Sequence, residues 1–199
     1  KNIFNLAIKG SFDDCQKIVK SLFNENEFRE KINISGVNSI NWARIICQIV
    51  YYFYSYFKLK KTNISFSVPT GNFGDIFAGF VAKKMGLPID KLIVATNEND
   101  ILQRVINHGE YRPNKVKPSL SPSMDIQVAS NFERLLFDVL NGDDQKVSKL
   151  MQDLNENGFF KLEKDELKKI RENFSAEKIN DSDTLRIIKD FFINYGFIL

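Results

Sequence analysis

Between residues 63 and 97 the chain has very few ways to fold. Ile64, Phe66 and Val68 alternate with Ser65 and Ser67, the period-two pattern of a strand. Pro69-Thr70-Gly71-Asn72-Phe73-Gly74-Asp75 then turns on two glycines. Ile76, Phe77, Gly79, Phe80 and Val81 open a helix that stops at Met85-Gly86, with Pro88 just beyond. Leu92, Ile93, Val94, Ala95 and Thr96 follow as an unbroken apolar run, the signature of a parallel strand buried on both faces. Strand, glycine turn, helix and strand within about 35 residues predict a βαβ unit with parallel strands and a right-handed crossover.

The rest of the chain divides in character. Residues 1–140 alternate strand-like and helix-like segments and are expected to form an α/β region. Residues 141–199 are rich in Lys, Glu and Asp and predict a mostly helical region. Apolar runs at 3–8 and 196–199 have strand length, and they suggest a chain cut at both ends, since natural termini are more often polar. Phe12, Cys15, Ile18, Val19, Leu22 and Phe23 mark one face of a helix whose first turn carries Asp13 and Asp14. A polar loop is expected at 24–33. Residues 41–57 predict a long helix, apolar nearly all the way round and therefore central and buried. Further helices are expected at 131–140, 143–155, 164–173 and 182–194, with a short strand at 159–162.

Composition excludes several classes. A net charge of +3 with scattered Lys residues offers no basic stripe for nucleic acid and no membrane-binding surface. No apolar run reaches the roughly 18 residues of a membrane span. Cys15 and Cys47 lie in apolar helical patterns and are read as buried small hydrophobes, not as metal ligands or a disulfide. No metal site is expected, and a reducing, cytoplasmic setting fits. His108 is read as a surface residue in a polar loop.

Gly71, Asn72, Phe73, Gly74 and Asp75 lie where a strand ends and a helix begins. N–H groups at a helix start lack intrahelical partners and sit at the positive end of the dipole. Glycines permit a close backbone approach. Such a terminus binds anions, and open α/β sheets bind ligands beyond strand carboxyl ends. Two readings stay open on these grounds: a phosphate cradle, or a tight turn whose glycines serve only the chain reversal. A Walker-type GK[ST] and a GxGxxG are both missing, which argues against nucleoside triphosphates and NAD. Phe73 is read as a packing residue. The Asp75 side chain is expected to turn away from an anion that its N–H faces. Upstream, Asn38 and Ser39 suit a helix cap. Asn41 and Arg44 fall on one face of the apolar helix, where burial would demand an anionic partner for the guanidinium.

Several stretches together resemble threonine synthases. SVPTGNFGDI at 67–76, Ala78-Gly79, KMGLPI at 84–89 and ATNEND at 95–100 are similar to that family's phosphate-loop region. VNSINWAR at 37–44, KGSFDDCQ at 9–16, LSPSMDI at 120–126 and SNFERL at 130–135 follow the family's order. The resemblance covers roughly residues 7–140. It implies a parallel-sheet core of fold type II, the tryptophan-synthase-β type of pyridoxal-5'-phosphate (PLP) enzyme, with the mostly helical segment appended. It also implies a carbon–oxygen lyase of threonine biosynthesis that takes O-phospho-L-homoserine and water to L-threonine and phosphate. Residues 71–75 would hold the PLP phosphate; burial would make a substrate phosphate or carboxylate the expected partner of Asn41 and Arg44, with Asn38 and Ser39 beside them.

Two elements of the family pattern are missing from the 199 residues. The Schiff-base lysine, set between Phe and Asp in the family, has no counterpart: Phe57-Lys58-Leu59 and Phe160-Lys161-Leu162 lack the acid. No DPHTA-like segment is present either. No catalytic residue is therefore assigned, and this chain alone is expected to be inactive. The alternatives are a related phospho-lyase acting on another phosphorylated amino acid, or a non-catalytic phosphate-binding module. The sequence sets no oligomeric state.

Overall fold

In a computed structural model, the described residues are 2–10, 12–36 and 40–197. They fall into two compact units, 1–37 and 38–199. In the first, α1 (Phe12–Asn24) and α2 (Asn26–Ile32) follow an extended lead-in. The strand expected at 3–8 does not form, and Ile3, Phe4 and Leu6 are 81%, 82% and 88% exposed. A strand needs a neighbour to complete its hydrogen bonds, and none pairs with this run among the described residues. Likewise Gly196 and Phe197 are not strand. The expected polar loop at 24–33 instead contains α2, which ends on Asn33 in the left-handed conformation.

The second unit is built on α3 (Trp42–Leu59), β1 (Ile64–Pro69), α4 (Gly74–Lys84) and β2 (Ile89–Thr96). The expected βαβ unit is present, with β1 and β2 parallel and Val68 opposite Val94. Two consecutive turns close α4: the Gly86 N–H donates to the Lys83 carbonyl and the Leu87 N–H to that of Ala82. Gly86, at φ +102°, supplies the left-handed position that this closure needs. After β2 come α5 (Ile101–His108), β3 (Glu110–Tyr111), α6 (Phe132–Val139), α7 (Asp144–Asn157), β4 (Phe160–Lys161), α8 (Lys164–Asn173), β5 (Phe174–Lys178) and α9 (Asp181–Tyr195). β5 lies parallel to β2 on its far side, so the sheet order is β1-β2-β5, and β3 pairs antiparallel with β4.

Neither α5 nor β5 was expected from the sequence. β5 reads FSAEK, too short and too polar to announce itself, but Phe174 and Ala176 are buried against the central strand. The core runs through Ile76, Leu92, Val94, Val105, Leu136 and Ile170, all at most 1% exposed. Burying side chains of this size contributes about 1.5–3 kcal/mol each.

α3 departs from expectation more sharply. Ile45 and Tyr52 are buried, but Ile46, Val50, Tyr51, Tyr54 and Phe57 are exposed. Its neighbours among the described residues lie along one stripe only. There Gly79 lets α4 pass close, since a Cβ would come within 2.6 Å of the Tyr52 ring and 2.9 Å of Leu92. Cys47 shares the exposed side and Cys15 is half-buried, so neither is the buried hydrophobe expected. His108 is exposed as expected, but it ends α5 and is not in a loop. Among the described residues no helix is long and apolar enough to cross a membrane.

Candidate anion-binding site at the start of α4

β1 hands the chain to the glycine turn at a fixed point. The Thr70 N–H donates to the Ala95 carbonyl at 2.8 Å, and the buried Thr70 hydroxyl donates back to the Val68 carbonyl at 2.6 Å. The backbone then leaves the sheet at Gly71. A Cβ there would lie 2.9 Å from Ile126 Cδ1 and 3.3 Å from both Met124 Cα and the Ser123 carbonyl oxygen. The glycine is thus required by the 3-10 turn Pro122–Met124, which packs directly over it.

Phe73 has the left-handed backbone, φ +66° and ψ +5°, which is uncommon for a bulky side chain. Its ring, 1% exposed, meets Phe132 edge-on at 5.3 Å and Phe174 at 5.5 Å. Burial of the ring holds the strained backbone in place, and Phe73 packs as expected. The residue stands at the helix N-cap and supplies no side-chain cap. Gly74 and Asp75 begin α4, so their N–H groups have no intrahelical acceptor. Among the described residues, the N–H groups of Gly71, Phe73, Gly74 and Asp75 donate to no protein acceptor. Asn72 is held differently. Its carbonyl accepts from the Asn131 N–H at 3.0 Å and from Asn131 Nδ2 at 3.2 Å, and its Oδ1 accepts from the Ser130 hydroxyl at 3.1 Å.

The Asp75 carboxyl is half-buried, and burial raises it above the ordinary carboxylate range, with a Tyr52 hydrogen bond opposing the rise. Tyr52 also donates to the Asp75 carbonyl at 3.0 Å, and its own hydroxyl is pushed far up by burial and by Asp75.

The four upstream candidates do not meet the expectation equally. Asn38 and Ser39 lie outside the described residues. Asn41 caps α3, its Oδ1 accepting from the Ala43 N–H at 2.9 Å. Arg44 is exposed on the first turn of α3. The premise that burial forces an anionic partner on it therefore fails, because α3 is open to solvent on that side.

Sequence reasoning missed the residues that support the turn. Asp125 accepts from Asn97 Nδ2 at 2.7 Å, Asn99 Nδ2 at 3.0 Å, the Ser119 N–H at 2.9 Å and the Ser119 hydroxyl at 2.6 Å. Asn97 and Asn99 are 5% and 3% exposed, so their amides require such partners. Together they pin the 119–125 segment that covers Gly71. Polar residues in ATNEND and LSPSMDI were the available signal, but pairing between segments some twenty-five residues apart is invisible along a sequence.

No family model matches the chain. It is 46% identical to the threonine synthase of Saccharomyces cerevisiae, over 96% of this chain and 40% of that protein. It is also 46% identical to that of Pseudomonas aeruginosa, over 100% of this chain and 43% of that one. Among solved structures, PLP-bound threonine synthase from Brucella melitensis superposes with a TM-score of 0.88 at 50% identity, covering 97% of this chain and 42% of that one. The yeast threonine synthase gives 0.85 at 45% identity, covering 98% and 41%. The α/β architecture with a parallel sheet is thus shared with solved threonine synthases. Over nearly its whole length, this chain is homologous to about two fifths of a threonine synthase.

Proposed function

We propose that this chain is the phosphate-gripping portion of a PLP-dependent threonine synthase, and that the whole enzyme converts O-phospho-L-homoserine and water to L-threonine and phosphate. The observation that carries the reading is the uncapped start of α4, where unpartnered amides stand at the carboxyl end of β1. This arrangement fits a phosphate. Gly71 brings the backbone close, the amides of Phe73, Gly74 and Asp75 are donors, and the helix dipole favours a dianion.

In the holoenzyme these amides would hold the cofactor phosphate, with Asn72 and Gly71 completing the turn. PLP would supply the electron sink for elimination and hydration. The chain's own part is to bind and orient: the buried Phe73 ring anchors the turn, and the 119–125 segment presses on it from one side. Burial no longer assigns Asn41 and Arg44, with Asn38 and Ser39, to the substrate, since Arg44 is exposed. The 199 residues contain no Phe-Lys-Asp triplet, so the lysine that such chemistry uses is not among them. The chain alone is accordingly inactive in this reading, and the complete enzyme works in the cytoplasm.

The test supplies the protein, as its gene encodes it, with PLP and O-phospho-L-homoserine and measures threonine and released phosphate. Equal amounts of both products support the assignment, with none from the 199-residue chain alone. Tight PLP binding without either product from the complete protein would refute the substrate. No binding of PLP would refute the cradle.

A further inference from the structure

Asn131 immediately precedes α6, a place where Asn ordinarily caps its own helix through the side-chain oxygen. Here it makes no such cap. Its Oδ1 accepts from Arg134 Nε at 3.0 Å, which orients the amide so that Nδ2 faces the Asn72 carbonyl at 3.2 Å. The Asn131 backbone N–H reaches the same carbonyl at 3.0 Å. Asn131 is fully buried, so this arrangement is not an accident of a mobile surface side chain.

No peptide is cis among the described residues, so the C=O of Asn72 and the N–H of Phe73 point in opposite directions across one rigid plane. Two donors on the carbonyl therefore fix where the Phe73 N–H points. Among the described residues the Phe73 N–H, next to the first residue of α4, donates to no protein acceptor. Arg134 extends the chain of contacts: its second nitrogen donates to the Ile40 carbonyl at 2.9 Å, and its guanidinium lies over the Trp42 ring at 5.3 Å. One partly buried polar chain thus joins the turn before α3, the start of α6 and the glycine turn.

We propose that Asn131 is a positioning residue for phosphate recognition, setting the peptide plane that aims the Phe73 N–H at the anion, with Arg134 fixing the orientation of the Asn131 amide. The proposal rests on the reading of the α4 start as the cofactor's phosphate site. Asn131→Asp keeps the shape and the acceptor for Arg134, but it replaces the donor to Asn72 with an oxygen.

The experiment measures the affinity of the protein, as its gene encodes it, for PLP and for pyridoxal, which lacks the phosphate. The wild type should prefer PLP, and Asn131→Asp should cut that preference about tenfold while leaving pyridoxal affinity unchanged, the size of effect expected for one charge-assisted hydrogen bond. Equal loss for both ligands would mean that Asn131 merely supports the fold, and would overturn the proposal, as would no loss. A wild type with no preference for PLP would sink the phosphate reading and this proposal together. If Asn131→Asp does not fold, Arg134→Lys provides the same measurement. It keeps the charge but loses the fork, and an unchanged preference there refutes the assignment.

Discussion

The starts of α4 and α7 answer the same physical problem in opposite ways. Both helices expose amides with no intrahelical acceptor. At α7, Asp143 adopts the extended conformation and its side chain accepts from the Lys146 N–H at 3.0 Å, which closes the end. α9 is closed likewise by Asn180 on Asp183 at 2.8 Å. At α4 the N-cap is Phe73, left-handed, with no side-chain oxygen at all, and its ring is driven into the core. At α7 and α9 a local polar side chain seals the helix start. The α4 start instead keeps its amides open and is held by distant groups: an aromatic cluster, the Asn131 contacts and the segment over Gly71.

This contrast yields predictions of decreasing size. Phe73→Ala should lower stability by about 3–5 kcal/mol, as large aromatic truncations in cores do, seen as an early urea midpoint. A smaller loss than that of Asp143→Ala would show that the two ends are held alike. Gly71→Ala should lower stability by about 1–3 kcal/mol through overpacking against Ile126 and the 123–124 backbone, and should weaken PLP more than pyridoxal. Asp143→Ala should remove about 1 kcal/mol by loss of the cap and leave the preference for PLP over pyridoxal as it was. Asp75→Asn should have the smallest effect, and one that depends on pH. Burial raises the Asp75 pKa in the folded state, so the wild type loses stability as pH rises from the ordinary carboxylate range through that raised value. The variant lacks this loss. It should therefore melt above the wild type at neutral pH, with the difference vanishing in acid; melting curves that differ equally at all pH values would exclude the mechanism.

Much of this was legible in the residues. Alternation at 64–68, the glycine pair, the Gly86 stop and the apolar run at 92–96 placed β1, α4 and β2 correctly, because each signal is local. β5 was not legible, since FSAEK becomes a strand only beside β2. Nor was the exposure of α3: an all-round apolar helix implies burial only where neighbours exist, and among the described residues they line a single stripe.

Along the site the same division holds. Backbone chemistry near Gly71 and Gly74 follows from the residue types themselves, for glycine spacing and the start of a helix are set within a few residues. The supports of the turn were decided by the fold. Asn131 reaches Asn72 from 59 positions away, and Asp125 gathers Asn97 and Asn99 across 28 and 26. The sequence by itself determined that a helix would open on glycines after a strand; the tertiary structure alone decided which way its amides would face. Peptide-plane orientation depends on what hydrogen-bonds the carbonyl on the other side, and that partner came from the residue just before a distant helix.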